Sequence, residues 1–156
     1  MRPKYAFRGA FKREVDRFGG IITFDHVSSA NLRTQGIDGE TQAFTIKDVY
    51  TGLIGVYPAH TKESSYVTPS VRHFAGGRKI DNLYSDGAHE SEKTAYDLNV
   101  PLEKSLPGVP RNNTIIERAN QVIVGGTTAS LIRAGLPPCY WSYGAPCLLC
   151  TTTRAS

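Results

Sequence analysis

GGIITFDHV, residues 19–27, is the stretch that decides the fold of this 156-residue chain. Its side chains alternate and then run apolar, which predicts a β-strand. In a strand, Ile21, Thr23, Asp25 and Val27 share one face, and Ile22, Phe24 and His26 share the other. Asp25 is the anomaly. A carboxylate inside an apolar strand is costly to bury unless it is paired or binds a metal.

Downstream, SSANLRTQGIDGE (28–40) is turn-rich. TQAFTIKDV (41–49) and LIGVYP (53–58) read as two strands joined by YTG, a natural hairpin. A helix is expected over 62–75 with Val67, Val71 and Phe74 as its apolar anchors. Pro69 suits that helix only in its first turn. A fourth strand is expected over 79–85, a short helix over 88–98 and a brief fifth strand near 100–104. The loop LPGVPRNN (106–113) then leads into the longest helix, 114–134. Ile115, Ala119, Val122 and Ile123 fall on one face of it, and Asn113, Glu117, Asn120 and Gln121 on roughly the opposite one. Gly125 and Gly126 weaken its middle by about 1 kcal/mol each relative to Ala. Residues 136–150 read as a further packed helical segment.

This order predicts an α/β fold: a five-stranded mixed sheet, three antiparallel strands and then parallel ones, flanked by helices. A helical crossover is expected to return the fourth strand beside the first and parallel to it. Residues 1–18 form a basic lead-in, 19–150 the core and 151–156 a polar tail.

The formal net charge is +4, with 40% hydrophobic and 21% charged residues. That is an ordinary soluble balance with a mild bias toward a polyanionic partner. Much of the excess positive charge lies on Arg2, Lys4, Arg8, Lys12, Arg13 and Arg17. No apolar run approaches the roughly 18 residues of a membrane span. The N-terminus lacks the apolar region of a signal peptide. The expected location is therefore nucleus or cytoplasm, with no membrane partner and no small-molecule cofactor. Cys147 and Cys150 form a lone C-x-x-C without the two further ligands of a zinc site. With Cys139 they read as buried thiols on an apolar face.

Two other acids sit in recognisable settings. Asp86 ends KIDNLYSDG, and Glu117 opens NNTIIERANQVIV. Taken alone, Asp86 in SDG serves equally well as a turn residue. Glu117 in a first helical turn would favour the helix dipole in any case. Asp25 alone is hard to explain structurally.

With the elements placed, the chain resembles the catalytic core of retroelement integrases, specifically the copia-type retrotransposon class. Asp25 matches the first catalytic acid. SDGAHE (85–90) resembles a D-N-G-x-E-F pattern, with Asp86 as the second acid and Glu90 at the trailing acidic position. PGVPRNNTIIER (107–118) resembles P-x-x-P-Q-x-N-G-x-x-E-R, with Glu117 as the third acid. AGLPPCYW (134–141) resembles the A-G-L-P-x-x-F-W run that follows. The resemblance covers about residues 19–150. Two positions depart from the pattern: Arg111 stands for a Gln and Thr114 for a Gly. The family's zinc module and basic C-terminal domain are not seen, so a core, a fragment or a decayed copy is expected.

The resemblance implies an RNase H-like polynucleotidyl transferase that processes and joins DNA ends. Two Mg²⁺ or Mn²⁺ ions would be held by Asp25, Asp86 and Glu117, since hard cations take oxygen ligands. Glu90 would stand behind them. Arg111, Asn113, Arg118 and Gln121 would contact DNA, and Asn120 would extend the same polar face. The implied partners are element-end and target DNA and further copies of the chain. A nuclease using the same acids and an inert nucleic-acid-binding remnant are the alternatives. His26 is expected to pack or hydrogen-bond away from Asp25. Lys62, Arg72, Arg78 and Lys79 read as solvated, and Trp141, Tyr140 and Tyr143 as core or interface residues.

Overall fold

The computed structural model describes residues 14–30, 33–86, 88–104 and 114–152. Strands β1 (Ile22–Ser28), β2 (Gln42–Asp48) and β3 (Ile54–Ala59) form an antiparallel meander. Helix α1 (Ser64–Ala75) then carries the chain to β4 (Leu83–Ser85), which pairs parallel to β1. Helix α2 (His89–Leu98) leads to β5 (Leu102–Lys104), parallel to β4. Helix α3 (Thr114–Ala134), a 3₁₀ turn (Pro138–Tyr140) and α4 (Trp141–Thr152) complete the element order. The sheet runs β3-β2-β1-β4-β5, so β1 is central. The expected RNase H-like layout is therefore present.

The alternation of β1 builds two cores. Ile22 and Phe24 join Phe44, Ile46 and Leu83 beneath α1 and α2, with Val67, Val71, Phe74 and Ala95. Val27 joins Ala43 and Val56 on the opposite face, against Ile123, Leu131, Trp141 and Ala145 of α3 and α4. Asp25 shares parity with Val27, so its side chain belongs to the α3 side.

Several expectations shift in detail. β4 is three residues long, not seven. The segment before it still bonds across to the entry of β1, through the Asp81 N–H to the Gly19 carbonyl at 2.7 Å, while its side chains form surface charge pairs: Lys79 lies 3.5 Å from Asp81, and Arg17 also pairs with Asp81. Pro69 lies inside α1, beyond its first turn, on the exposed side where its missing N–H is tolerated. α4 extends through Thr152, two residues into the segment expected as tail. Cys147 is exposed and Cys139 half-buried, not both buried as expected. Arg78 is not simply solvated. Its guanidinium lies 3.5 Å from the Phe18 ring centroid, and its Nε donates to the Ala75 carbonyl at the end of α1. Trp141 is core, with its indole N–H donating to the Thr34 carbonyl at 2.9 Å. Among the described residues no helix is long and apolar enough to cross a membrane.

Two glycines have structural reasons. A Cβ on Gly19 would lie 2.2 Å from the Lys79 carbonyl oxygen, and its φ of 81° already disfavours other residues. Gly126 admits Leu148 of α4 against α3, where a Cβ would come within 2.6 Å.

Asp48, a fully buried acid at the end of β2, is structural. Its Oδ1 accepts from the Gly19 N–H at 2.9 Å. Its Oδ2 accepts from the Thr51 N–H at 2.7 Å and the Thr51 hydroxyl at 2.6 Å. It therefore ties the β2–β3 turn to the entry of β1. Asp48→Ala is expected to leave buried donors unpaired and to cost about 1–3 kcal/mol, read as a lowered denaturation midpoint.

Candidate active site

β1 presents Asp25 half-buried at its middle. Its Oδ1 accepts the His26 backbone N–H at 2.7 Å, and its Oδ2 accepts the Asn120 side-chain amide at 3.0 Å. Asn120 is itself oriented. The hydroxyl of Thr45, directly opposite Asp25 on β2, lies 2.7 Å from Asn120 Oδ1 and 3.1 Å from the Asp25 carbonyl oxygen. Thr45 is fully buried, so this network aims the amide N–H at the carboxylate.

Asp86 follows β4. The parallel register pairs Thr23 with Tyr84, two residues before Asp25 and Asp86 respectively, so the two acids lie on neighbouring segments. Asp86 is exposed and accepts the Ala88 N–H at 3.2 Å, a local turn contact. Burial holds the Asp25 carboxyl above the ordinary carboxylate range, and the nearby Asp86 pushes it the same way. The His26 N–H, the Asn120 amide and the Lys62 ammonium oppose that rise.

Glu117 is exposed in the first turn of α3. It precedes Asn120 by three residues and so lies on the same side of the helix. Among the described residues no three His, Cys, Asp or Glu side chains are gathered closely enough to hold a metal ion. The charge of Asp86 reaches Asp25, while Glu117 is not gathered with the two.

His26 faces away from Asp25, as the alternation requires. Its ring packs on Phe44 with centroids 5.0 Å apart. Burial lowers its proton affinity, and Glu90 opposes that effect from 4.0 Å. Glu90 therefore attends His26 behind the strand. Arg118 and Gln121 lie exposed on α3. Arg111 and Asn113 lie outside the described residues. Asn120 departs from its expected place on a DNA-facing surface: it is half-buried and turned onto β1. The spacing of Glu117 and Asn120 puts both on one side of α3, but nothing in that spacing marks the side as the one that meets β1.

No family model matches the chain. The retrovirus-related Pol polyprotein from transposon TNT 1-94 of Nicotiana tabacum is 34% identical over 119 residues. That match spans 70% of this chain and 9% of the polyprotein. The catalytic core domain of BIV integrase superposes with a TM-score of 0.61 at 14% identity, covering 88% of this chain and 86% of that one. The chain is a relative of a retrotransposon Pol polyprotein with the fold of an integrase catalytic core. A chain of the simian T-cell lymphotropic virus intasome, solved with the PP2A regulatory subunit B56 gamma, gives a TM-score of 0.70 at 14% identity. It covers 88% of the integrase-like core and 49% of its own chain.

In this core, Asn120→Ala should raise the Asp25 pKa further, because it removes a donor that favours the carboxylate. Thr45→Val should move it in the same direction by freeing the amide to rotate. Carbon-detected NMR titration of the Asp25 carboxyl checks both.

Proposed function

We propose that this chain is the catalytic core of a retrotransposon integrase, a metal-dependent polynucleotidyl transferase that processes DNA 3′ ends and joins them to target DNA. One observation carries the reading: Asp25 on β1 and Asp86 just after the parallel neighbour β4 are close enough for their charges to oppose one another, and α3 brings Asn120 onto Asp25. The polyprotein relative and the integrase-core fold support it.

Asp25 and Asp86 suit a hard divalent cation, and Glu117, which stands apart from them, would have to close on the pair to complete the set. Asp25 and Asp86 are carboxylates close enough for their charges to oppose one another, an arrangement that a cation relieves. Asp25, Asp86 and Glu117 would hold Mg²⁺ or Mn²⁺. Bound there, two ions would supply charge stabilisation to the attacking and leaving oxygens of an in-line displacement at phosphorus. The chain's own contribution is positional. β1 fixes Asp25, Thr45 and Asn120 orient its carboxylate, and the turn after β4 presents Asp86. Arg118 and Gln121, exposed beside Glu117, would meet the DNA backbone. A multimer assembled on DNA ends is part of the same proposal.

A second reading, an inert nucleic-acid-binding remnant, is favoured by the position of Glu117 outside the Asp25–Asp86 pair. A disintegration and nicking assay with Mg²⁺ or Mn²⁺ separates the readings. Asp25→Asn and Glu117→Gln are each expected to reduce strand joining by about a hundredfold or more. Hydrolysis without joining would point to a nuclease. Joining that both variants leave unchanged would overturn the assigned site.

A further inference from the structure

We propose that His26 and Glu90 form a positioning brace, on the sheet face opposite Asp25, that fixes the turn carrying Asp86 against the strand carrying Asp25. This inference rests on the reading of the two acids as a cation-binding pair and names what sets their separation.

The sheet alone does not set it. The β1–β4 ladder pairs Ile22 with Leu83 and Thr23 with Tyr84, which leaves both acids beyond its end. β4 itself ends at Ser85, one residue before Asp86. The placement of Asp86 therefore falls to the turn that follows, and that turn is tied to α2. Asp86 Oδ1 accepts the Ala88 N–H at 3.2 Å. The Ala88 carbonyl in turn accepts the Ser91 and Glu92 N–H groups at 2.9 and 3.2 Å, closing the first turn of α2. Glu90 lies inside that turn and moves with it.

Glu90 meets β1 through His26. Its Oε1 lies 4.0 Å from His26 Nδ1, at the outer edge of direct pairing. Among the described residues, His26 is the one basic side chain within that range of Glu90. The contact is shielded from water, with the His26 side chain 9% exposed and that of Glu90 23%. The imidazole packs on Phe44, and its Nε2 is buried without a hydrogen-bond partner, so Nδ1 carries the polar contact of the ring. A carboxylate withdrawn from water needs a partner. The Nδ1–H, present in the imidazolium and in one neutral tautomer, is the donor that supplies it.

Residue 26 thus serves both acids. Its backbone N–H donates to Asp25 Oδ1 at 2.7 Å. Its side chain, on the other face of the strand, reaches Asp86 through Glu90 and the Ala88 turn. Two like charges tend to move apart, and a contact behind the strand that holds both segments opposes that movement. Groups that orient ligands without touching the cation commonly change its affinity ten- to about a hundredfold.

The test is Mn²⁺ binding to the full chain, read from the paramagnetic resonance signal of the free ion, with circular dichroism verifying the fold. His26→Leu and Glu90→Leu are each expected to weaken Mn²⁺ binding about tenfold or more. The double variant should be no weaker than either single one, because the same contact is lost in all three. His26→Asn keeps a side-chain donor near the Nδ1 position and should recover most of the loss. Thr94→Val removes a buried contact of α2 with the Thr68 hydroxyl, 3.2 Å away, and should lower the melting temperature without changing Mn²⁺ affinity. Wild-type affinity in His26→Leu or Glu90→Leu, additive losses in the double variant, no recovery in His26→Asn, or an equal loss in Thr94→Val would each overturn the inference and leave the cation site standing. Wild-type Mn²⁺ binding that Asp25→Asn does not weaken, or no binding at all, would remove the underlying reading and the inference together.

Discussion

The carboxylate of Asp25 is held part-way out of water on the central strand, and the rest of the site depends on that. Burial alone works against its charge. Its own strand and α3 answer with two hydrogen bonds, one from the His26 backbone and one from Asn120. This pulls α3 onto the sheet at a defined point. The same helix therefore cannot turn without moving Asn120, and Glu117 travels with it because three residues of helix separate them.

Sheet order supplies the second carboxylate. β1 has β2 on one side and β4 on the other, so its residues meet an antiparallel and a parallel neighbour at once. The antiparallel partner opposite Asp25 is Thr45, which orients Asn120. The parallel partner's extension is Asp86. One position on one strand thus meets a positioning residue on its left and a like charge on its right. A close pair of like charges is unfavourable without a cation or a cationic ligand. Structure built for stability alone would avoid it.

Asp48 shows the contrast. It is more deeply buried than Asp25, and three donors meet its two oxygens. Its oxygens are spent within the fold. Asp25 keeps company with Asp86, an exposed acid. Burial of an acid therefore did not distinguish function from structure in this chain; the exposure and sign of its neighbours did.

Much of the fold was legible in the sequence, because strand alternation over GGIITFDHV and helical spacing over 114–134 are local properties of the covalent chain. Asp25 was legible for the same reason, as a charge that breaks an apolar alternation. The limits of β4 were not, because the segment before it bonds to the entry of β1 while its charged side chains pair at the surface. The role of Asn120 was not either. Its partners Thr45 and Asp25 are 75 and 95 residues distant in sequence, and polar side chains on one helix face carry no mark of which will meet a sheet. The sequence by itself determined the kinds and order of the elements and the oddness of Asp25. Only the tertiary structure decided that Asp86 stands beside it and that Asn120 grips it. Those relations arise from strand register and helix docking, which bring distant residues together through long-range packing that no local pattern encodes.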